Sequence, residues 1–191
     1  ISKAVPIALA VVFGLCAVAM IGIMVYFSCI DTETDLGSFE RIIRFNDIWG
    51  THRGFMWIRS IWIFGDASFI EKLFGVGPDM FYSAFSPYFD DLSKYGDSST
   101  NAAHNEYLNY LITIGITGLL SYLAIVCGTI KNAVKYAKEN PMLIACVSAV
   151  ICYAVQSVVN LYQPITTPLF FIFIALCEAF VRNAKAEKSA V

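Results

Sequence analysis

The sequence predicts an all-α polytopic membrane protein, with four transmembrane helices and one large, partly helical extracytoplasmic loop between the first two. Hydrophobic residues make up 58% of the 191 residues and charged residues only 15%, whereas a soluble domain is about 25% charged. The charges are also segregated, because 18 of the 28 lie between Asp31 and Glu106. This composition excludes a disordered chain and an ordinary soluble enzyme, and a net charge of −2 argues against a nucleic-acid partner.

Four apolar stretches are predicted to span the bilayer, because a helix needs ~20 apolar residues to cross ~30 Å of hydrocarbon. The first two, residues 5–30 and 107–130, have 26 and 24 residues without a charge. A third uncharged run, residues 140–177, is too long for one helix, and prolines at 164 and 168 interrupt it. We therefore predict two further spans, at residues 142–159 and 165–181.

The basic residues beside the predicted spans set the expected orientation. With four spans, the lysine and arginine clusters after the second and fourth spans lie on one face of the membrane, which the positive-inside rule assigns to the cytoplasm. The C-terminus is therefore expected in the cytoplasm, and the loop of residues 31–106, with a net charge of −6, on the outer side. The chain begins with Ile1 rather than methionine, which indicates a piece of a longer protein.

None of the six cysteines lies within the predicted outer loop, where oxidation would pair them. All lie in or at the edge of an apolar span, so we expect them to pack as small apolar side chains. No Cys–His spacing suggests zinc. The acidic residues Asp31, Glu33 and Asp35 directly follow a span, which is typical of a solvated boundary. No metal and no cofactor are expected.

The first half of the outer loop is predicted to contain a helix at the membrane surface. Arg53, Trp57, Ser60 and Phe64 recur at spacings of four, three and four, which places them on one helical face. Tryptophan is typical of the interface between bilayer and water. Two interpretations stay open: the helix only lies in the headgroup plane, or Arg53 and Arg59 also meet an anionic lipid group.

The middle of the outer loop contains two weaker signals. Gly75, Gly77 and Pro78 predict a turn, and no Lys-Ser/Thr pair follows that would make it a phosphate-binding Walker loop. Residues 81–103 then mix aromatic side chains with aspartates and hydroxyls. This composition suits a sugar-binding surface and an ordinary surface loop equally well.

The segment His104-Asn105-Glu106 lies directly before the second predicted span, at the outer surface of the membrane. An unperturbed histidine pKa of about 6.5 makes His104 the best-suited general base in the loop, and a structural role is the alternative. Asn105 or Asn101 is expected to cap the helix, and Glu106 suits the positive end of its dipole. The Gly115-x-x-Gly118 spacing would let another helix approach closely.

Three motifs, taken together and in this order, carry a resemblance to a known family. They are Arg53-x-x-x-Trp57, the turn Leu73–Phe81, and His104-Asn105 followed after nine residues by Gly115-x-x-Gly118. This set resembles the signature of the O-antigen ligase and polysaccharide polymerase family. The resemblance covers about residues 53–120 directly. By its four-span layout, the chain of residues 1–191 is interpreted as the C-terminal part of such a membrane domain, lacking the N-terminal helices.

The resemblance implies a metal-independent glycosyltransferase at the outer face of the bacterial cytoplasmic membrane. Such an enzyme moves a glycan from a polyprenyl-pyrophosphate carrier to a hydroxyl of a glycan or lipid acceptor, with membrane lipids as further partners. By this resemblance His104 would be the catalytic base, and Arg53 the catalytic cation that binds the departing pyrophosphate. The isolated fragment would be inactive without the missing helices. The implied substrate-binding residues are Arg59, Asn105, Gly75 and Gly77.

Three other functions stay open at the level of the sequence. A polymerase of the same family would extend repeat units instead of attaching a glycan to a final acceptor, and no motif separates the two. A transporter or flippase fragment would account for the polar residues Gln156 and Glu178 within or near spans. A purely structural membrane protein is the third alternative.

Overall fold

The computed structural model describes residues 4–189, in which helices and turns occur without a strand. The all-α prediction is therefore confirmed for this part of the chain. The chain divides into two compact units, with the boundary between residues 58 and 59. The α-helices are α1 (Ala4–Cys29), α2 (Glu40–Ile43), α3 (Trp49–Asp66), α4 (Phe69–Phe74), α5 (Phe81–Phe85), α6 (Phe89–Ser93), α7 (Glu106–Thr113), α8 (Gly115–Tyr136), α9 (Met142–Gln156) and α10 (Thr166–Ser189). Short 3-10 helices lie at Gly37–Phe39 and Ser86–Tyr88.

In the first unit, one arginine ties the chain that follows α1 back to the end of that helix. The Arg44 guanidinium donates hydrogen bonds to the carbonyl oxygens of Phe27 (3.0 Å), Asp31 (3.2 Å) and Thr34 (2.8 Å). Its Nη1 also forms an ion pair with Glu40 and lies 2.8 Å from each carboxylate oxygen. Because the last carbonyls of a helix lack partners within it, a basic side chain at this position stabilises the end of α1.

The acidic residues after α1 serve as acceptors within local turns. Asp31 accepts hydrogen bonds from the Thr34 backbone N–H at 3.1 Å and from the Thr34 hydroxyl at 2.7 Å. These bonds lower the pKa of the Asp31 carboxyl. Asp35 accepts from the Gly37 N–H at 2.8 Å. Each carboxylate thus has a structural role at the helix boundary.

The surface helix predicted from Arg53 onward is interrupted once, at residues 67 and 68, and an irregular turn precedes it. α3 begins at Trp49, but residues 50–52 have left-handed backbone with φ of 58°, 57° and 66°, so the regular helix begins after them. It ends at Asp66, and α4 begins after Ser68. The Ser68 hydroxyl accepts from the Glu71 N–H, and the Glu71 carboxylate accepts from the Ser68 N–H, which forms a capping box. The spacing of the arginine and aromatic residues predicted neither this break nor the irregular turn before Arg53.

The second predicted span consists of two helices, because the chain breaks at Ile114 and Gly115. α7 ends at Thr113, and Gly115 has a φ of +69°, the left-handed conformation that favours glycine. α8 then continues to Tyr136, beyond the predicted end of the span at residue 130. α1 lies within one residue of its predicted limits, whereas α9 ends at Gln156 instead of 159 and α10 continues to Ser189 instead of 181.

α8, α9 and α10 pack against one another and form the main core of the second unit. Two clusters of buried side chains join them, one around Leu143 and Val181 and one around Val150 and Phe170. Cys146 and Cys177 are buried in the first cluster, which confirms the packing role predicted for them, whereas the other four cysteines are exposed.

Within the described part of the chain, one helix, α8, is both long enough and apolar enough to cross a bilayer. Two further apolar stretches, Gly14–Cys29 and Met142–Gln156, are shorter. The prediction of four spans around one outer loop therefore stays a prediction.

Candidate functional site

Three segments that are distant in the sequence meet at one end of the α8–α10 bundle, within the second unit. The glycine turn, residues 73–79, is hydrogen-bonded to the break between α7 and α8. The His104 segment, residues 101–106, is hydrogen-bonded to the end of α9. The α9–α10 loop reaches the glycine turn through Tyr162, whose hydroxyl donates to Asp79 Oδ1 at 3.3 Å. Two of the three motifs singled out in the sequence therefore belong to one structural site.

The glycine turn donates hydrogen bonds to the backbone carbonyls that the helix break leaves without partners. Val76 and Gly77 donate their N–H groups to the carbonyl oxygens of the last two residues of α7, both at 3.0 Å. The hydroxyl of Thr117 donates to the Leu73 carbonyl at 2.7 Å. Because carbonyls in the last turn of a helix have no partner within it, the glycine turn completes the hydrogen bonding of α7.

A close backbone contact requires glycine at positions 75 and 115. Both residues have left-handed backbone, with φ of +77° and +69°. A Cβ at Gly75 would overlap the backbone of Thr113, and a Cβ at Gly115 would overlap that of Leu73. The sequence predicted that another helix approaches Gly115 closely. In the structure this helix is α4, which contacts Gly115 through its C-terminal end. At Gly118 the nearest atoms belong to a side chain of the preceding helical turn.

The N–H groups of the two glycines predicted to bind substrate are both used within the protein. Gly75 donates to the Glu71 carbonyl at 2.7 Å, and Gly77 donates to the Thr113 carbonyl at 3.0 Å. The structure thus gives both residues a role in shaping the turn, and their contact with substrate stays a prediction.

His104 is held in a backbone conformation that few side chains adopt. Its φ is +51°, in the left-handed region that histidine occupies more often than most residues. Buried Ala102 and Ala103 precede it and buried Asn105 follows it, so the half-buried histidine is held between fixed neighbours. Backbone conformations of this kind concentrate at functional sites, which supports a functional role for His104.

Asn105 is the N-cap of α7, which confirms one of the two caps expected from the sequence. Its side-chain oxygen accepts from the Leu108 N–H at 3.0 Å and so satisfies a backbone donor in the first turn. The predicted contact of Asn105 with substrate is a separate role and stays a prediction.

Glu106 is a buried carboxylate that joins α7 to α9. Its side chain is 1% exposed, and its two oxygens accept hydrogen bonds from the Tyr110 hydroxyl at 2.8 Å and the Ser157 hydroxyl at 2.7 Å. Its backbone N–H also donates to the Ser157 carbonyl at 2.9 Å. The sequence indicated only that a negative charge at position 106 suits the start of a helix. It could not indicate the bond to Ser157, because that serine lies 51 residues further along the chain.

Arg53 lies in the first unit, directly after the left-handed residues of α3. Its Nη1 donates to the Gly50 carbonyl at 3.2 Å. Arg53 Nε and Trp57 Nε1, four residues apart on one helical face, are buried N–H groups without a hydrogen-bond partner in the described structure. Buried donors without partners are rare, and an anionic ligand is the type of group that would satisfy them.

Arg59 lies in the second unit among aromatic and acidic neighbours. Its guanidinium carbon is 4.6 Å from the centre of the Trp62 ring, which is a cation–π contact. Lys94 chiefly, and Arg59 to a smaller extent, lower the pKa of the Asp91 carboxyl. These neighbours account for the position of the Arg59 side chain, and its contact with substrate stays a prediction.

A family model described as O-antigen ligase matches residues 3–123. The match begins before α1 and ends within α8, so it includes the glycine turn and the His104 segment but not the α9–α10 loop. No curated protein and no solved structure matches the chain.

Proposed function

Because the chain belongs to the O-antigen ligase family, a family of bacterial membrane proteins, we propose that it transfers a glycan from a polyprenyl-pyrophosphate carrier to an acceptor hydroxyl. The observation that carries the proposal is the position of His104. It lies in strained backbone at the start of α7, and the glycine turn is hydrogen-bonded to the other end of that helix. A short helix held at both ends suits a residue that must meet two substrates in a defined geometry.

In the proposed reaction, the acceptor hydroxyl attacks the anomeric carbon of the first sugar. The bond between that carbon and the pyrophosphate oxygen breaks, and the polyprenyl pyrophosphate leaves with both bonding electrons. Neutral His104 accepts the proton of the attacking hydroxyl. Arg53 provides the positive charge that stabilises the leaving pyrophosphate, because a guanidinium binds such an anion through two parallel hydrogen bonds.

The donor can be tested by analysing lipid-linked glycans in cells with and without the full-length protein. Cells that lack it are expected to accumulate the polyprenyl-linked glycan, because its consumption stops. Unchanged levels of that glycan would contradict the proposal. The same samples separate the two activities of the family. A ladder of chain lengths that collapses to single repeats indicates a polymerase, whereas finished polymer that remains unattached indicates a ligase.

The role of Arg53 is tested by Arg53→Lys in the full-length protein, which keeps the charge but loses the bidentate geometry. Hydrogen bonds to a charged group contribute about 1.5–3 kcal/mol, so we expect transfer to fall about 10- to 150-fold. The measurement is the initial rate of transfer in membranes. Arg41→Lys is the matched control, because Arg41 is an exposed arginine of the first unit. Equal rates in the two variants would exclude Arg53 as the pyrophosphate ligand.

We also propose that α1, α8, α9 and α10 are the four spans, with the C-terminus in the cytoplasm and the loop of residues 31–106 outside. The support is the exposure of large apolar side chains on these helices, such as Val18 at 69% and Val155 at 66%. Such surfaces are unfavourable in water and are covered by lipid in a bilayer.

The structure gives less support to a transporter than the sequence did. Glu178, the acidic residue on which that alternative depended, accepts a hydrogen bond from Arg182 Nε at 2.7 Å, and both side chains are exposed. An ion pair between residues four apart on a helix surface accounts for this charge without a transport pathway.

A further inference from the structure

A groove of about 230 Å³ lies at the same end of the second unit as the glycine turn and the His104 segment. Asn101 and Ala102, which shortly precede His104 in the chain, form one wall of the groove. The α9–α10 loop forms the other wall. The second wall lies beyond residues 3–123, so the family match does not include it. The lining residues are Asn101, Ala102, Leu161, Tyr162 and Pro164.

The residues that line this groove combine an aromatic ring with neutral polar groups. Tyr162 is 39% exposed and presents its ring together with a hydroxyl, and Asn101 adds an exposed amide. No charged side chain is among the lining residues. The Tyr162 hydroxyl is hydrogen-bonded to the Asp79 carboxylate, whose negative charge would repel an anion. A sugar ring fits this chemistry, because its C–H faces pack on aromatic rings while its hydroxyls bond to amides and hydroxyls.

Hydrogen bonds to the glycine turn and to the start of α10 hold the segment around Tyr162 in place. Its hydroxyl donates to Asp79 at 3.3 Å, and the next residue, Gln163, donates its N–H to the Thr167 hydroxyl oxygen at 3.0 Å. Thr167 is in turn 2.6 Å from the Tyr153 hydroxyl. Burial, and then the negative charge of Asp79, raises the pKa of Tyr162, so the hydroxyl remains a donor at neutral pH. A ring fixed in advance loses less entropy when a ligand binds.

We infer that this groove binds one neutral sugar ring of the transferred glycan or of its acceptor, close in the chain to the proposed base His104. The inference rests on the proposed function and adds to it a position for a substrate sugar. Tyr162 is the binding platform, Asn101 bonds to the sugar hydroxyls, and Asp79 positions the Tyr162 ring.

The test uses the full-length protein in membranes, with polyprenyl-linked glycan extracted from cells that lack the protein as donor. KM is measured separately for this donor and for the membrane acceptor fraction. Truncating an aromatic anchor costs more than about 1 kcal/mol, so Tyr162→Ala is expected to raise one of the two KM values about fivefold to tenfold. Tyr162→Phe keeps the ring and is expected to raise it less. Phe39→Ala removes an exposed aromatic side chain of the outer loop, outside residues 81–103, and is the matched control.

The two KM values identify the source of the sugar ring. A rise in the donor KM alone places a donor sugar in the groove, and a rise in the acceptor KM alone places an acceptor sugar there. Either result supports the inference. Unchanged KM values for both substrates in Tyr162→Ala, or the same rise in Phe39→Ala, would overturn it.

A binding measurement separates failure of this inference from failure of the proposed function. Radiolabelled glycan released from the carrier, and separately the acceptor fraction, are titrated onto the purified full-length protein, where no turnover is needed. One of them must bind more weakly to Tyr162→Ala than to Phe39→Ala. Equal binding of both overturns the groove assignment even where transfer is observed. Absence of transfer by the unaltered protein, with weaker binding to Tyr162→Ala, overturns the proposed function and leaves the groove as a sugar site.

Discussion

Replacing His104 by asparagine in the full-length protein is expected to lower glycan transfer about 10²- to 10⁴-fold, the usual contribution of a general base. Asparagine is the informative replacement because it tolerates the left-handed backbone observed at this position, with a φ of +51°. It keeps a polar side chain but has no titratable nitrogen. The measurements are the initial rate of transfer in membranes and the amount of polyprenyl-linked donor, which is expected to rise.

The chain contains its own matched control for this experiment. His52 is the only other histidine, and it also has left-handed backbone, with a φ of +66°. His52→Asn therefore repeats the same chemical change in the same conformation, and we expect it to leave transfer unchanged. Equal loss of transfer in the two variants would show that His104 is not the base.

The pH dependence provides a second readout for His104. A general base must be neutral to accept a proton, so the transfer rate is expected to increase with pH as His104 loses its proton. The residual rate of His104→Asn should lose this increase. A purely structural role for His104 would lower the rate without changing its dependence on pH.

Replacing Gly115 by alanine is expected to destabilise the second unit by about 2–5 kcal/mol. This estimate adds about 1–2 kcal/mol for a left-handed alanine to about 1–3 kcal/mol for an added methyl group that overlaps its neighbours. The overlap is with the backbone of Leu73, which cannot rotate away as a side chain can. The measurements are the unfolding of the purified full-length protein in detergent and its amount in the membrane.

Two other glycines separate the contributions of strain and overlap. Gly128 lies in α8 like Gly115, but a Cβ there would have no atom within 4 Å, so Gly128→Ala should be neutral or slightly stabilising. Gly96 has a φ of +96° and the same open surroundings, so Gly96→Ala measures backbone strain alone. A loss of stability in Gly115→Ala no larger than that in Gly96→Ala would show that the contact with the end of α4 is unimportant.

The two predictions are connected through α7. The glycine turn is hydrogen-bonded to the last residues of this eight-residue helix, and Glu106 in its first turn is bonded to Ser157 of the neighbouring segment. His104 lies two residues before the helix begins. Loss of the turn is therefore expected to misplace His104 as well as to destabilise the core, because a short helix has few other contacts that hold it.

Much of the fold followed from composition and spacing. The absence of charges over long apolar runs predicted the ends of α1, α9 and α10 to within about three residues. The exception is the C-terminal end of α10, where a polar extension follows the apolar run. Left-handed backbone is not encoded in hydrophobicity, so the break at Gly115 and the irregular start of α3 were not predicted. At Gly115 the glycine alone is ambiguous, because glycine occurs both inside membrane helices and at their ends.

By itself, the sequence determined the all-helical class, the segregation of charge into one loop and the three motifs by which the family resemblance was identified. Only the tertiary structure decided that the glycine turn and the Gly115 break form one contact, that Glu106 pairs with Ser157, and that Tyr162 reaches Asp79. The physical reason is the same in each case. These partners lie between about 40 and 83 residues apart in the chain, and local pattern cannot show which distant groups satisfy a helix end, a buried carboxylate or a loop hydroxyl.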